Sequence, residues 1–98
     1  MSDYRISRKA LADLDAIYRY TRQEWSEDQA AKYYTELSTA IKSLPNLPAF
    51  IVRNYNAVKP GLLGLYIGHH IIFYRKHTDG TVWVYRILHE RMDFGRHL

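Results

Sequence analysis

The residues best suited to chemistry lie at the C-terminal end of the chain, where an apolar run changes into a segment rich in Arg and His. Residues 85–98 contain three Arg and two His. An Arg side chain can hold a phosphate or a carboxylate through two parallel hydrogen bonds, and a His can exchange protons near neutral pH. We therefore predict that this end contacts a macromolecular target, through Arg86, His89, Arg91, Met92, Asp93, Arg96 and His97.

A second chemistry available to this region is cleavage of RNA by its own 2′-hydroxyl group. That reaction needs a general base, a general acid and a cation on the phosphate. His89, Arg86 and Arg75 are the side chains that could form such a catalytic set. A His that only orders the turn after a strand would explain His89 equally well, so both interpretations stay open.

The adjacent pair His69-His70 resembles half of a metal site. Neighbouring residues of a strand point to opposite faces, so these two side chains cannot bind one ion together. Zinc would need three or four converging ligands, and the chain has no Cys. We predict neither a metal nor a cofactor.

Charge is distributed unevenly along the 98 residues, which we interpret as a single domain spanning 1–98. Residues 1–51 carry seven Lys or Arg and seven Asp or Glu. Residues 52–98 carry seven Lys or Arg but only three Asp or Glu, and they contain all five His. The net charge of +4 therefore lies in the C-terminal half, which indicates an acidic partner, either nucleic acid or protein. Without a secretory signal or an apolar run of membrane length, we expect a cytoplasmic protein that does not bind membranes.

Apolar spacing predicts a short opening strand over residues 4–6, followed by two helices. Ser7 is a candidate N-cap for a helix of about 17 residues. Ser26 with Gln29 forms a capping box that starts a second helix, which Pro45 ends. The break between the helices is so short that they must form an antiparallel hairpin.

The second half of the chain has the composition of strands. Residues 45–64 are predicted as a loop with a weak strand near 50–52, and strands are expected over 65–67, 69–74 and 81–88. The predicted class is α+β, in the order β-α-α-β-β-β, with the helical hairpin packed on one face of an antiparallel sheet. Strict alternation in the last strand would place Arg86 on the face of Val84, and Tyr85 on the opposite face with Ile87.

The nine Tyr exceed what a core of this size needs, and Tyr is favoured where a surface binds a partner. Two cations, Arg8 and Lys9, fall in the first turn of the first helix, where the macrodipole disfavours them. An acidic, apolar-striped partner helix would use both features. Its predicted contacts are Arg8, Lys9, Tyr18, Tyr34, Tyr66 and Tyr74.

Four blocks of the sequence resemble ParE toxins of bacterial toxin–antitoxin pairs. They lie within residues 4–14, 20–30, 69–74 and 86–93, and the run from Arg86 to Asp93 is the most specific. The resemblance implies the RelE/ParE fold and a toxin of the plasmid-stabilisation type that poisons DNA gyrase and arrests growth rather than acting as an enzyme. It also implies a ParD-like antitoxin as partner, and contact with operator DNA only indirectly, through that antitoxin.

RelE-type relatives share the fold but cleave mRNA on the ribosome, and this is the alternative function. Such relatives tend to carry a Tyr or His near the C-terminus. The last Tyr here is Tyr85, inside a predicted strand, so His89 and His97 are the possible substitutes. We expect residues 89–98 to be needed for toxicity but not for folding, because the strands through Leu88 complete the sheet. The alternative is that Met92 or Leu98 packs back under the helices.

Overall fold

The computed structural model describes residues 3–98, and its α+β architecture agrees with the prediction. The first half contains a strand and two helices: β1 (Tyr4–Ile6), α1 (Arg8–Glu24) and α2 (Glu27–Ser43). Two 3-10 turns, Leu44–Asn46 and Ala49–Ile51, lead to the second half. That half contains β2 (Arg53–Asn54), β3 (Leu63–Ile67), β4 (His70–Lys76), β5 (Val82–His89) and a final short helix, α3 (Phe94–His97).

Both long helices begin at the predicted caps. The Ser7 hydroxyl accepts a hydrogen bond of 3.0 Å from the Ala10 amide, and the Ser26 hydroxyl accepts one of 3.0 Å from the Gln29 amide. Each hydroxyl thus satisfies a donor that the helix itself leaves free. Pro45 lies two residues beyond the end of α2, inside the first 3-10 turn. None of the helices in residues 3–98 has the length and apolar character needed to cross a membrane.

The sheet has five strands in the order β1-β5-β4-β3-β2. Neighbours among β2, β3, β4 and β5 run antiparallel, but β1 pairs with β5 in parallel, through Tyr4 to Ile6 opposite Val82 to Val84. The weak strand predicted at residues 50–52 is wrong in position. Those residues form most of a 3-10 turn that exposes Phe50, and the strand follows at residues 53–54.

Both faces of the sheet are covered. The helical hairpin packs on one face, where Leu14, Leu37 and Ile41 meet Ile72 and Val84. On the other face a smaller cluster is formed by four buried residues and the partly buried residues packed on them, namely Leu62, Ile71, Phe73 and Leu88 with Tyr55, Val58, Tyr85, Phe94 and Leu98.

The segment after β5, residues 90–98, which we call the C-terminal turn, therefore contributes to the core. The Phe94 ring lies 4.9 Å from the Phe73 ring between centroids, and Leu98 packs on the same cluster. The expectation that residues after Leu88 add little to folding is wrong, because burying these apolar side chains stabilises the second face. Leu98 does pack back on the domain, but on the face opposite the helices, while Met92 remains 45% exposed.

A β-bulge in β5 overturns the strict alternation predicted for that strand. Phe73 pairs with Arg86 and Tyr74 pairs with Val84, so Tyr85 has no opposite residue. The extra residue shifts the pleat by one position. As a result Ile87 lies on the face of Val84, in the helix-side core, while Tyr85 lies opposite Val84 as predicted, in the cluster on the other face.

Candidate functional site

The best-defined polar contact in the molecule joins Asp13 of α1 to Arg86 of β5. Arg86 donates two hydrogen bonds to the Asp13 carboxylate, from Nε at 2.8 Å and from Nη2 at 2.9 Å. The two side chains are only 18% and 15% exposed, and the carboxylate raises the pKa of the Arg86 guanidinium. Arg86 also donates to the backbone carbonyl of His97 at 3.1 Å. The guanidinium thus ties the sheet to both α1 and the C-terminal turn.

The same helix protects the exposed edge of β5. Because β1 ends at Ile6, the backbone of β5 beyond Val84 would lack a neighbouring strand. Ser7 continues the pairing, with its amide donating to Val84 O at 3.0 Å and its hydroxyl donating to Tyr85 O at 2.7 Å. The Asp13 carboxylate then accepts the Ile87 amide at 2.9 Å. Ser7 and Asp13 together satisfy backbone groups that are expensive to leave unpaired.

Hydrogen bonds order the backbone of the C-terminal turn, which carries exposed cations. The Met92 amide donates to His89 O at 3.0 Å, the Arg91 amide donates to His89 Nδ1 at 3.2 Å, and the Leu98 amide donates to Phe94 O at 2.9 Å. The turn exposes the side chains of Arg91, Met92 and Arg96. His89 therefore orders the turn, as one of its two interpretations predicted.

Three His meet at the end of the sheet beside this turn. The His89 ring lies 5.3 Å from the His70 ring and 6.2 Å from the His69 ring, between centroids. The His69 ring bonds Glu90 at 2.7 Å, which lowers the pKa of the Glu90 carboxyl. Within residues 3–98, no three His, Asp or Glu side chains are arranged to hold a metal ion.

His70 is the perturbed member of this group. The Tyr33 hydroxyl donates to Ile67 O at 2.9 Å and lies 2.7 Å from His70 Nδ1. Since the hydroxyl has a single proton, both contacts are satisfied when Nδ1–H donates to Tyr33. Burial, then the neighbouring His89 and His69, lower the pKa of His70 to about 4.

This pKa predicts a pH-dependent stability. The unfolded chain protonates His70 near its ordinary pKa of 6.5, whereas the folded protein resists protonation until about 4. The contribution is fully present above pH 6.5 and is lost as the pH falls through that window. After allowance for solvent screening, lowering the pH to about 5 should cost about 1 kcal/mol of unfolding free energy through this residue. Urea titrations should show a flatter pH slope for His70→Gln, and the wild-type slope for the exposed control His77→Gln. Equal slopes in all three proteins would contradict the assignment.

A separate apolar groove runs along the helical hairpin. One part encloses about 470 Å³ between β1, α1 and α2, and the adjoining part encloses about 270 Å³ beside the two Tyr of the hairpin. Tyr18 and Tyr34 contact edge to face, with centroids 5.9 Å apart. Leu11 lines both parts of the groove and is 52% exposed. We name this surface the hairpin groove and define it by Tyr4, Leu11, Leu14, Tyr18 and Tyr34.

The fold places the predicted contacts with the partner helix on different surfaces. Tyr18 and Tyr34 lie in the hairpin groove, and Arg8 and Lys9 are exposed at the start of α1. Tyr66 is exposed on the other face of the sheet, with the Arg53 guanidinium 5.3 Å from its ring centroid. The assignment of Tyr74 as a partner contact is wrong. Its side chain is 2% exposed and belongs to the helix-side core, because the strand places it under the hairpin.

The predicted catalytic set does not converge. Arg75 and Arg86 line one pocket, but His89 is absent from it. Arg75 pairs with Trp83, six residues before His89 in β5, which at about 3.3 Å per residue separates them by roughly 20 Å. Sequence reasoning also missed Asp13 and Lys59, which the fold brings close to Arg86, and Tyr85, which precedes Arg86 in β5 and lines the same pocket. The position of Asp13, about one and a half turns into α1, was a usable signal, whereas nothing local places Lys59 near Arg86.

The fold and these surfaces can be compared with solved structures. The model matches a chain described as the chromosomal ParDE toxin–antitoxin system from P. aeruginosa with a TM-score of 0.75 and 24% identity, over 91% of this chain and 96% of that one. A chain of the toxin–antitoxin complex RelBE2 from Mycobacterium tuberculosis matches with a TM-score of 0.57 and 17% identity, over 89% and 95%. The fold is therefore that of RelE/ParE-type toxins.

Sequence comparison defines the family more closely. The family model for the ParE toxin of type II toxin–antitoxin systems matches residues 4–94. Toxin ParE1 of Mycobacterium tuberculosis is 40% identical over 97 residues, which is 99% of this chain and 98% of that protein. The chain belongs to the ParE family of type II toxin–antitoxin toxins.

Proposed function

We propose that this ParE-family toxin acts in the cytoplasm by poisoning DNA gyrase, which blocks replication and arrests growth. The observation that carries the proposal is the match of the family model across almost the whole chain, together with the most specific resemblance block at residues 86–93. That block forms the end of β5 and the exposed C-terminal turn.

The C-terminal turn would supply the contact surface for a complex of gyrase with DNA. Arg91 and Arg96 are exposed, and the exposed side chain of Met92 lies on the same turn. A surface that mixes cations with an exposed apolar side chain suits docking to a large anionic partner. Asp93 precedes α3, and His97 ends it, so both predicted contacts belong to the same turn.

Arg86 has a different part in this proposal. Its guanidinium is committed to Asp13 and to the backbone of His97, and it is only 18% exposed. We assign it the role of positioning the C-terminal turn rather than of touching the target. His89 orders the turn from within β5 in the same way.

Purified protein tests the target directly. In a plasmid supercoiling and cleavage assay with gyrase, the toxin should inhibit supercoiling and increase cleaved DNA. A parallel translation reaction with ribosomes and mRNA should leave the message intact. Cleaved mRNA with unaffected gyrase would establish the RelE-type ribonuclease function instead.

We further propose that a ParD-like antitoxin neutralises the toxin through an acidic, apolar-striped helix that occupies the hairpin groove. The groove is long, apolar and open, which suits the helix-in-groove mode of recognition. Arg8 lies at the start of α1, where an acidic residue of the partner would also offset the unfavourable position of the cation. Operator DNA would be contacted through the antitoxin, as in operons that stabilise plasmids.

Two groove substitutions test this antitoxin site. Tyr18→Ala and Tyr34→Ala should each weaken antitoxin binding by more than about 1 kcal/mol in calorimetry, because each removes an aromatic anchor from the groove. Tyr20→Ala is the matched control, since Tyr20 is 64% exposed on the same helix and does not line the groove. Unchanged affinity in both groove variants, with circular dichroism showing an intact fold, would exclude the groove as the binding site.

A further inference from the structure

A basic pocket opens where the start of α1, the bulge of β5 and the C-terminal turn meet. It encloses about 220 Å³, and we define it by Lys9, Lys59, Arg75, Tyr85 and Arg86. These residues come from a helix, a loop and two strands, so their grouping is a product of the fold. The pocket differs from the hairpin groove, with which it shares no lining residue.

The positive charge of the basic pocket is poorly neutralised. Four of its side chains are cationic at neutral pH, and no acidic residue lines it. Asp13 is already bound to Arg86, and no Asp or Glu among residues 3–98 forms an ion pair with Lys9, Lys59 or Arg75. The first turn of α1 contains no acidic residue, so the positive end of the helix dipole adds to the same potential.

Arg75 has a donor that the protein leaves unused. Its Nε is buried and has no hydrogen-bond partner among the described residues. The guanidinium carbon lies 5.7 Å from the centre of the Tyr85 ring, which holds the planar group over an aromatic surface. A buried donor without an acceptor is unfavourable, and an anion entering the pocket would supply the acceptor.

Apolar packing fixes the positions of two further residues of the basic pocket, Lys59 and Tyr85. The loop that carries Lys59 is anchored by Tyr55, whose ring passes so close to Gly64 that a Cβ there would lie 2.5 Å from it. Lys59 Nζ donates to Leu98 O at 2.7 Å, which places the ammonium beside the C-terminal turn. Tyr85 packs on the smaller cluster, on the face of the sheet opposite the helices.

We propose that the basic pocket binds a phosphodiester group of a single-stranded nucleic acid. A phosphodiester offers acceptor oxygens in several directions, which suits cations that approach from α1, β4 and the loop, and an Arg can bind it with two parallel bonds. The partly buried Tyr85 ring and the neighbouring Leu62 provide an apolar wall for the adjoining sugar or base. The inference does not rest on gyrase as the target, and it is testable without that enzyme.

Fluorescence anisotropy with labelled single-stranded oligo-dT and oligo-U tests the site. Arg75→Gln and Lys9→Glu should each weaken binding roughly tenfold, the loss of one charge-assisted hydrogen bond. Both should also make the dependence of the affinity on salt shallower, because fewer counterions are released. Lys32→Glu is the matched control, because it makes the same charge change at an exposed site on α2 and should alter binding by less than about twofold.

Lys9→Glu separates binding from folding. An acidic residue in the first helical turn is favourable for the helix, so this variant should melt no lower than the wild type while it loses affinity. Tighter binding of oligo-dT would identify DNA as the source of the phosphodiester, and tighter binding of oligo-U would identify RNA. Equal weakening by Lys32→Glu would overturn the proposal, as would binding of a poly-Glu peptide with no binding of either oligonucleotide.

Discussion

Asp13→Ala should lower the free energy of unfolding by about 3 kcal/mol, the largest stability effect that we expect from a single polar substitution in this protein. The change leaves the Arg86 guanidinium, which is only 18% exposed, without its carboxylate. It also leaves the Ile87 amide without an acceptor at the edge of β5. An unpaired charge and an unpaired backbone donor are each penalised when they are sheltered from water.

A matched control lies two residues away on the same helix. Asp15 pairs with Arg19 at the surface, where their side chains are 57% and 68% exposed. Asp15→Ala should therefore cost less than about 1 kcal/mol. Asp13→Asn should fall between the two, because an amide oxygen can still accept from Ile87 but carries no charge. Urea unfolding of the three variants measures the order, and equal losses for Asp13→Ala and Asp15→Ala would contradict a structural role for the Asp13–Arg86 pair.

The helical half of the fold was predictable because its signals are local. Ser7 and Ser26 each satisfy an amide three residues further on, so the sequence spacing alone identifies both caps. Apolar residues such as Leu14 and Leu37 recur at helical steps and face the sheet. The hairpin then follows from the two-residue break between α1 and α2, and a partly exposed pair such as Tyr18 and Tyr34 can be recognised as surplus to the core.

The sheet was harder to predict because its details depend on contacts between distant residues. The bulge at Tyr85 depends on how β5 pairs with β4, and no local feature marks it. It reverses the faces of the residues that follow it, which is why Ile87 lies on the face of Val84 rather than on that of Tyr85. Tyr74 was misassigned for the same reason. Tyr is a residue type common at interfaces, but the pairing of the strands places this side chain beneath the helical hairpin.

The packing role of the C-terminal turn was missed because most of its side chains are charged or polar. Its Arg and His suggested a solvent-facing tail, and they outnumber Phe94 and Leu98 in the sequence. Those two apolar residues nevertheless cover the second face of the sheet, which would otherwise expose Phe73 and Leu88. The turn is therefore a folded platform, and a functional test must change its charges without removing its anchors.

The double charge reversal Arg91→Glu with Arg96→Glu should abolish gyrase poisoning. Two exposed Arg at a binding surface, each contributing about 2 kcal/mol, correspond to a loss of affinity of roughly a thousandfold. Reversal also adds repulsion against DNA or an acidic protein surface. Both side chains are exposed, so the melting temperature and antitoxin binding should remain close to those of the wild type. Supercoiling and cleavage assays measure the loss.

Phe94→Ala and Lys32→Glu complete the test, because they separate packing from charge. Phe94→Ala keeps both Arg but removes the contacts with Phe73 and Tyr55, so it should cost about 2 kcal/mol of stability. Lys32→Glu reverses an exposed charge on α2 and should leave gyrase poisoning intact. If the double Arg variant keeps full toxicity, the turn does not face gyrase. If it unfolds as Phe94→Ala does, the two Arg act through the fold, and the target must be contacted by another surface.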